Sequence, residues 1–161
     1  MLIICKNINK LNIFIIVFIF ISLFITGYIF YNSCQEPNDS NAVSNKVSEE
    51  IKPIVDPADK VSKDDFHKYT RKAAHILEFA TLGISIGIVF VCIYKKFKKI
   101  FISLPLLLTL SVAVTDEFIQ SFNSRTSCLK DVLIDFSGSL CGFFIVFISV
   151  FIMTVYKKSK R

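Results

Sequence analysis

Four long apolar runs constrain this chain more than any other feature of its sequence. They cover residues 11–31, 79–94, 100–115 and 136–156, and charged side chains are nearly absent from them. Each run, with its flanks, is close to the ~20 residues that a helix needs to cross a hydrocarbon core of ~30 Å. Hydrophobic residues make up 53% of the chain, and their clustering favours a membrane over a dense soluble domain. The sequence therefore predicts an all-α, polytopic integral membrane protein with four transmembrane helices.

The distribution of basic residues predicts how these helices are oriented. Cytoplasmic segments of membrane proteins carry an excess of lysine and arginine. Three segments of this chain are basic and contain no acidic residue: the start of the chain, the turn between the second and third spans, and the C-terminal tail. We therefore expect an N-in/C-in arrangement. The basic tail is interpreted as a topology signal that contacts anionic lipids, and no nucleic-acid partner is expected.

Composition divides the chain into three parts. Residues 1–33 form the cytoplasmic N-terminus and the first span, which is interpreted as an uncleaved anchor because its apolar run is too long for a signal peptide. Residues 34–66 form an extracytoplasmic polar loop that contains three of the four prolines. Residues 67–161 form a core of three helices.

Two questions about the polar loop stay open at this stage. Its apolar residues recur at helical spacing, so a short amphipathic helix on the outer surface and a solvated loop fit equally well. Cys34 and Cys128 both fall on the outer side of the predicted membrane. They could form a disulfide, but two unpaired thiols is the interpretation that we favour.

Polar residues at helical spacing mark the outer ends of the last three spans. On the fourth span, Asp131 and Asp135 share one face because they are four residues apart. Ionisable side chains at the centre of a membrane helix cost about 2.5–3.5 kcal/mol each and are usually functional. We therefore expect a polar site at the outer ends of the second, third and fourth spans. The candidate ligand-binding residues are Arg71, Lys72, His75, Glu78, Asp116, Glu117, Gln120, Arg125, Asp131 and Asp135.

Small residues predict where helices approach closely. Gly83 and Gly87 lie below the polar stripe of the second span, and Gly138 and Gly142 form a GxxxG pair on the fourth. Such pairs allow two helix backbones to come into contact. We expect the fourth span to pack closely on a neighbour, and an oligomer through the Gly138/Gly142 face is possible.

Three interpretations of the candidate residues remain open. They could form a structural ion-pair network that locks three helices together. They could form a ligand or catalytic site in which the basic members hold a phosphate and His75 works with Glu78 or Asp135 as an acid–base pair. A divalent ion held by His75 and carboxylates is the least supported, because there is one intramembrane histidine and no thiolate cluster. No metal is expected, and the sequence specifies neither a catalytic residue nor a cofactor.

The motifs at these residues resemble the VanZ-like family of bacterial membrane proteins, whose founding member is associated with teicoplanin resistance. The matching pieces cover nearly the whole chain. They are Ser33-x-Gln35-x-Pro37, RKAAHILEFATLG at residues 71–83, TDEFIQSF at residues 115–122 followed by Arg125, and DVLIDFSGSLCG at residues 131–142.

The resemblance implies a protein of the bacterial cell envelope, located in the plasma membrane. Membrane lipids and a lipid-linked envelope precursor are the partners that it implies, together with an influence on sensitivity to glycopeptide antibiotics. The alternative is an outer-leaflet membrane enzyme that acts on a phosphate-bearing, lipid-linked substrate.

Overall fold

Helices account for all the regular secondary structure in the described part of this computed structural model, which covers residues 8–35, 37–98, 102–122 and 128–160. The predicted all-α class is therefore confirmed for these residues. In chain order, the helices are α1 (Ile8–Cys34), α2 (Pro37–Val55), α3 (Lys63–Phe97), α4 (Ser103–Phe122) and α5 (Leu129–Ser159).

Three of these helices are long and apolar enough to cross a membrane. Their apolar segments are Lys10–Cys34, Lys63–Phe97 and Leu129–Tyr156. The predicted third span corresponds to α4, which is not among them; its last two turns carry two acidic side chains and a glutamine. These polar residues lower the mean hydropathy of a helix of only 20 residues. Helices suited to a membrane are thus found, whereas four spans and the N-in/C-in orientation stay predictions.

The central helix of the bundle is α3, which contacts each of the other four helices. In the most apolar stretch of α3, 44% of the residues are buried. The corresponding stretch has 22% of its residues buried in α5 and 6% in α1. Large apolar side chains on α1 and α5 instead point outward, for example Phe24 and Phe151. This distribution is typical of a helix bundle whose outer surface faces lipid.

Glycines bring the backbones of α3 and α5 into contact. A Cβ atom added at Gly142 would lie 2.0 Å from the Ala80 carbonyl oxygen, and one added at Gly83 would lie 2.0 Å from the Ser139 carbonyl oxygen. Gly138 meets the α3 backbone in the same way. The expected close packing of the fourth span is therefore found inside the chain. An oligomer through the Gly138/Gly142 face would have to displace α3.

Hydrogen bonds align α1 against α3 and define the two ends of the bundle. The Ser22 and Ser85 hydroxyl oxygens lie 2.8 Å apart near the middle of the two helices. The Lys96 Nζ donates to Asn12 Oδ1 at 2.8 Å, so the start of α1 lies beside the end of α3. The end of α1 consequently lies at the opposite end of the bundle, with the start of α3.

The polar loop of the sequence analysis contains a helix, α2, which packs on the first turns of α3. Ser48 faces inward and is buried, whereas Ile54 is 80% exposed. The segment is helical, as the first of the two alternatives predicts, but its apolar residues Val47, Ile51 and Ile54 are exposed, and its position on the outer membrane surface stays a prediction. The helix is 19 residues long and thus longer than the predicted short helix.

Local hydrogen bonds fix the turn between α2 and α3. The Asp56 carboxylate accepts from the backbone N–H groups of Val61 and Lys60, which lowers the pKa of Asp56. The Ser62 hydroxyl accepts from the Asp65 N–H at 3.2 Å and donates to the Asp65 carboxylate at 2.8 Å. This reciprocal cap satisfies an otherwise free N–H and explains why α3 begins immediately after Ser62.

The buried apolar core lies directly beneath the polar end of the bundle. Its members come from α1, α3, α4 and α5, and each is within four residues of a polar candidate or of Ser33. The core therefore holds the four helices in register where their polar side chains begin. Its residues are Ile29, Phe79, Leu82, Ala113 and Val132.

Candidate functional site

Asp116 is the centre of a buried polar cluster at one end of the bundle. Its side chain is fully buried. The Ser33 hydroxyl, at the end of α1, donates to Asp116 Oδ1. The Gln120 Nε2, one turn further along α4, donates to Oδ2 at 2.8 Å. His75 Nδ1, from α3, lies 3.9 Å from the same Oδ2. Three helices thus converge on one carboxylate.

Asp135 adds a fourth helix to this cluster. It lies on α5, one turn after Asp131, and only 3% of the residue is exposed. One ligand atom each from His75, Asp116 and Asp135 lie within 4.8 Å of one another. Asp135 and Asp116 are therefore two buried carboxylates beside a single imidazole.

Glu78 lies at the edge of the cluster, one turn deeper along α3 than His75. The Asn32 Nδ2, on α1, donates to Glu78 Oε1 at 2.9 Å. The other carboxylate oxygen, Oε2, is buried and has no hydrogen-bond partner among the described residues. Glu78 thus presents an acceptor inside the bundle that its neighbours in this region leave unused.

Glu117 is buried but makes a different contact from its neighbour Asp116. Its Oε1 accepts from the backbone N–H of Cys128 at 2.6 Å, immediately before α5. Since the first N–H groups of a helix lack partners within the helix, this contact anchors the start of α5 to α4. The sequence analysis includes Glu117 among the ligand-binding candidates, and the structure assigns it this anchoring contact.

A charged pair forms the exposed rim of the cluster. Lys72 Nζ lies 3.0 Å from Asp131 Oδ1, and the two side chains are 51% and 38% exposed. The neighbouring Arg71 is half-buried. Arg125, the remaining basic candidate, lies outside the described residues. The polar end of the bundle therefore changes from an exposed ion pair to fully buried carboxylates within about one turn of α3.

Two residues of the cluster, Asn32 and Ser33, are missing from the sequence-based candidates. Ser33 is fully buried and donates to Asp116, and Asn32 donates to Glu78. A signal for them exists in the sequence. They are the first polar pair after a long apolar run, and that run ends on the same side of the predicted membrane as the other candidates.

Among the residues that the structure describes, no cysteine side chain belongs to the group formed by His75, Asp116 and Asp135. Cys34 and Cys128 form no disulfide with each other in the structure, which agrees with the favoured interpretation of the two as separate thiols. The donors available to a ligand are therefore an imidazole, carboxylates, a hydroxyl and amides. Such a set can hydrogen-bond a polar head group, transfer a proton or hold a hard or borderline metal ion.

An apolar helix bundle with a buried histidine–carboxylate cluster at one end defines a helical membrane protein with a polar site near one surface. The sequence model of the VanZ/LLP1 family matches residues 18–152, which is most of the chain. The chain therefore belongs to the VanZ/LLP1 family, and the resemblance stated from its motifs is confirmed. Neither a curated protein nor a solved structure matches it.

Proposed function

We propose that this chain is a four-span protein of the bacterial plasma membrane with both termini in the cytoplasm. Its polar cluster binds an envelope lipid or a lipid-linked wall precursor at the outer leaflet. By this binding the protein influences sensitivity to the glycopeptide teicoplanin. Membership of the VanZ/LLP1 family supports the link to the envelope and to glycopeptides.

The observation that carries this proposal is the opposite placement of the cluster and the lysines. Asp116 and Asp135 lie at the end of the bundle where α3 and α5 begin. Lys95, Lys96 and Lys98 lie at the other end of α3. If the lysine end faces the cytoplasm, as the positive-inside rule predicts, the cluster opens to the outer leaflet, where wall precursors and lipid head groups are present.

The exposure of the side chains supports a ligand that enters from the surface. Lys72 at the exposed rim offers a cation to a phosphate group. Glu78 Oε2, deeper in the bundle, offers an acceptor to a hydroxyl or amide of the same ligand. A phosphate-bearing head group with hydroxyl groups matches this order of donors and acceptors.

The test compares three variants that remove one charge each: Asp116→Asn, Asp135→Asn and Glu117→Gln. If the cluster binds a ligand, the two aspartate variants lose the effect on teicoplanin sensitivity while their abundance and melting temperature stay near those of the wild type. Glu117→Gln is the matched control, because an amide oxygen can still accept from the Cys128 N–H. It should keep both activity and abundance.

The opposite outcome has an equally clear physical basis. In a purely structural ion-pair network, removing one charge leaves its partner buried and unpaired, which costs about 3–5 kcal/mol. Abundance would then fall with each neutralised charge. Drug sensitivity that follows abundance across all three variants would refute the binding site.

The second candidate is an outer-leaflet enzyme that acts on a phosphate-bearing, lipid-linked substrate. The position of His75 Nδ1 at 3.9 Å from Asp116 Oδ2 favours it, because an imidazole beside a carboxylate is a common general base and such pairs often shorten to hydrogen-bond distance when substrate binds. Purified protein that turns over a lipid-linked precursor, with turnover lost in Asp135→Asn, would support the enzyme. Binding without turnover supports the first candidate.

A further inference from the structure

We propose that His75, Asp116 and Asp135 together bind a first-row divalent transition-metal ion, Mn²⁺ or Zn²⁺. Each residue comes from a different helix and each contributes one ligand atom to a group whose members lie within 4.8 Å of one another. Among the described residues, this is the one group of three or more potential metal ligands that lies so close together.

The spacing of the three atoms suits an ion at their centre. Atoms no more than 4.8 Å apart leave a central ion at most about 2.8 Å from each of them, against ~2.0–2.2 Å in a formed zinc site. The remaining difference is less than 1 Å for each ligand. The three ligand atoms would have to move toward the ion by this amount when it binds.

Charge gives an independent reason for a cation at this place. Asp116 is fully buried and Asp135 is 3% exposed, so water screens neither carboxylate well. Two carboxylates this close repel each other when both are ionised. A divalent ion between them would neutralise both charges, and the His75 imidazole would complete the ligand set without adding charge.

The neighbours of Asp116 resemble the outer shell of a metal site. Ser33 donates to one oxygen of this carboxylate, and Gln120 donates to the other at 2.8 Å. Ligating carboxylates are characteristically held by such hydrogen bonds, which fix their orientation. Both hydrogen bonds to Asp116 are already formed in this structure.

The chemical types of the three ligands indicate which class of metal ion they would bind. Ca²⁺ and Mg²⁺ prefer shells of oxygen alone, whereas the imidazole nitrogen of His75 favours a transition metal. No cysteine belongs to the group, so soft ions such as Cu⁺ gain nothing from it. The His75 side chain is 23% exposed, which leaves a path to the site from the rim.

This inference concerns the same site as the proposed function and deepens it, since a bound ion would offer positive charge to a phosphate group. Metal binding is nevertheless measured on the purified protein without lipid or drug. A protein that binds no metal but still changes teicoplanin sensitivity would overturn the inference alone. A metal site in a protein without any such effect would overturn the proposed function alone.

The experiment uses the full chain in detergent, stripped with EDTA and titrated with Mn²⁺. We expect one saturable site whose electron spin echo signal shows coupling to a ¹⁴N nucleus, and displacement of that Mn²⁺ by Zn²⁺. His75→Gln should abolish the ¹⁴N coupling and weaken Mn²⁺ binding at least about tenfold. Loss of an outer-shell partner already weakens metal binding by about tenfold or more, and His75 would be a direct ligand.

His67→Gln is the matched control, because His67 is the other histidine of the chain and lies about 12 Å away along α3 at 1.5 Å per residue. It should keep both the coupling and the affinity. Asp135→Asn, which retains the imidazole, should keep the fold by circular dichroism and weaken Mn²⁺ binding. Absence of a saturable site, or ¹⁴N coupling that His67→Gln removes and His75→Gln leaves intact, would overturn the assignment.

Discussion

Replacing Gly142 with alanine tests the close contact between α3 and α5. The added Cβ would lie 2.0 Å from the Ala80 carbonyl oxygen and 2.9 Å from the Ile84 nitrogen. Both are backbone atoms of α3, so rotation of a side chain cannot relieve the overlap. An ordinary contact begins near 3.4 Å, so α5 must move away from α3 by roughly 1.4 Å at this point.

The size of the effect follows from two opposing contributions. Overpacking a well-packed interior costs about 1–3 kcal/mol, and a backbone clash belongs at the upper end. Exchange of glycine for alanine inside a helix recovers at most about 1 kcal/mol of helix propensity. We therefore expect Gly142→Ala to lower the free energy of unfolding by about 2 kcal/mol.

Gly27 provides the control for this substitution, because a Cβ added there meets no atom within 4 Å. Gly27→Ala should be neutral or slightly stabilising. Gly87→Ala should fall between the two, since it meets side-chain atoms of Val146 and Phe143 at 3.3–3.4 Å. Unfolding of the purified variants by SDS, followed by circular dichroism, measures the series. Equal stability of Gly142→Ala and Gly27→Ala would refute the glycine-mediated contact.

Three further predictions concern topology, the rim and the buried hydroxyl. In a cysteine-free background, a membrane-impermeant thiol reagent should label Asn45→Cys in intact cells and spare Phe97→Cys; labelling at position 97 would reverse the orientation. Lys72→Ala should cost less than about 1 kcal/mol by thermal unfolding, because its ion pair is exposed, and a larger loss would show that the rim is structural. Ser33→Ala removes a donor to a buried carboxylate and should cost about 1.5–3 kcal/mol. Ser137→Ala, at an exposed serine that donates only to its own helix backbone, should cost almost nothing by the same measurement.

The number of core helices could be predicted because apolar runs are local signals in the sequence. The sequence analysis extends the polar loop to residue 66, whereas α3 already begins at Lys63. The difference arises from the Ser62 cap, which starts the helix almost one turn inside the segment predicted as loop. Helix boundaries set by such hydrogen bonds are visible only when the capping residue is recognised.

The choice of partners could not be predicted from spacing. The GxxxG spacing identifies a face of α5, but the same face would suit a second copy of the chain as well as α3. The glycines of α3 and α5 meet because both helices start at the same end of the bundle. Which helices start at the same end is decided by the whole fold and cannot be seen in a local sequence pattern.

Ser33 was recognised as part of a motif, but its contact with Asp116 could not be predicted for a related reason. The helix α1 is apolar on all sides, so its sequence has no stripe that shows which face meets the bundle. Glu117 shows the reverse problem, because its position beside Asp116 suggests membership of the site. A rotation of about 100° per residue turns it toward the start of α5 instead, where it binds the Cys128 N–H.

Contacts away from the buried carboxylates already hold α3 against its two main neighbours, α5 and α1. Backbone contact at Gly83 and Gly142 holds α3 against α5 deeper in the bundle, and the Ser22–Ser85 hydrogen bond joins α1 to α3 near its middle. Burying Asp116 and Asp135 is therefore a cost that the packing of α3 does not require. The chain bears this cost on separate helices and places both carboxylates beside one imidazole, and this is why we propose a ligand for the cluster and not only a need for additional helix contacts.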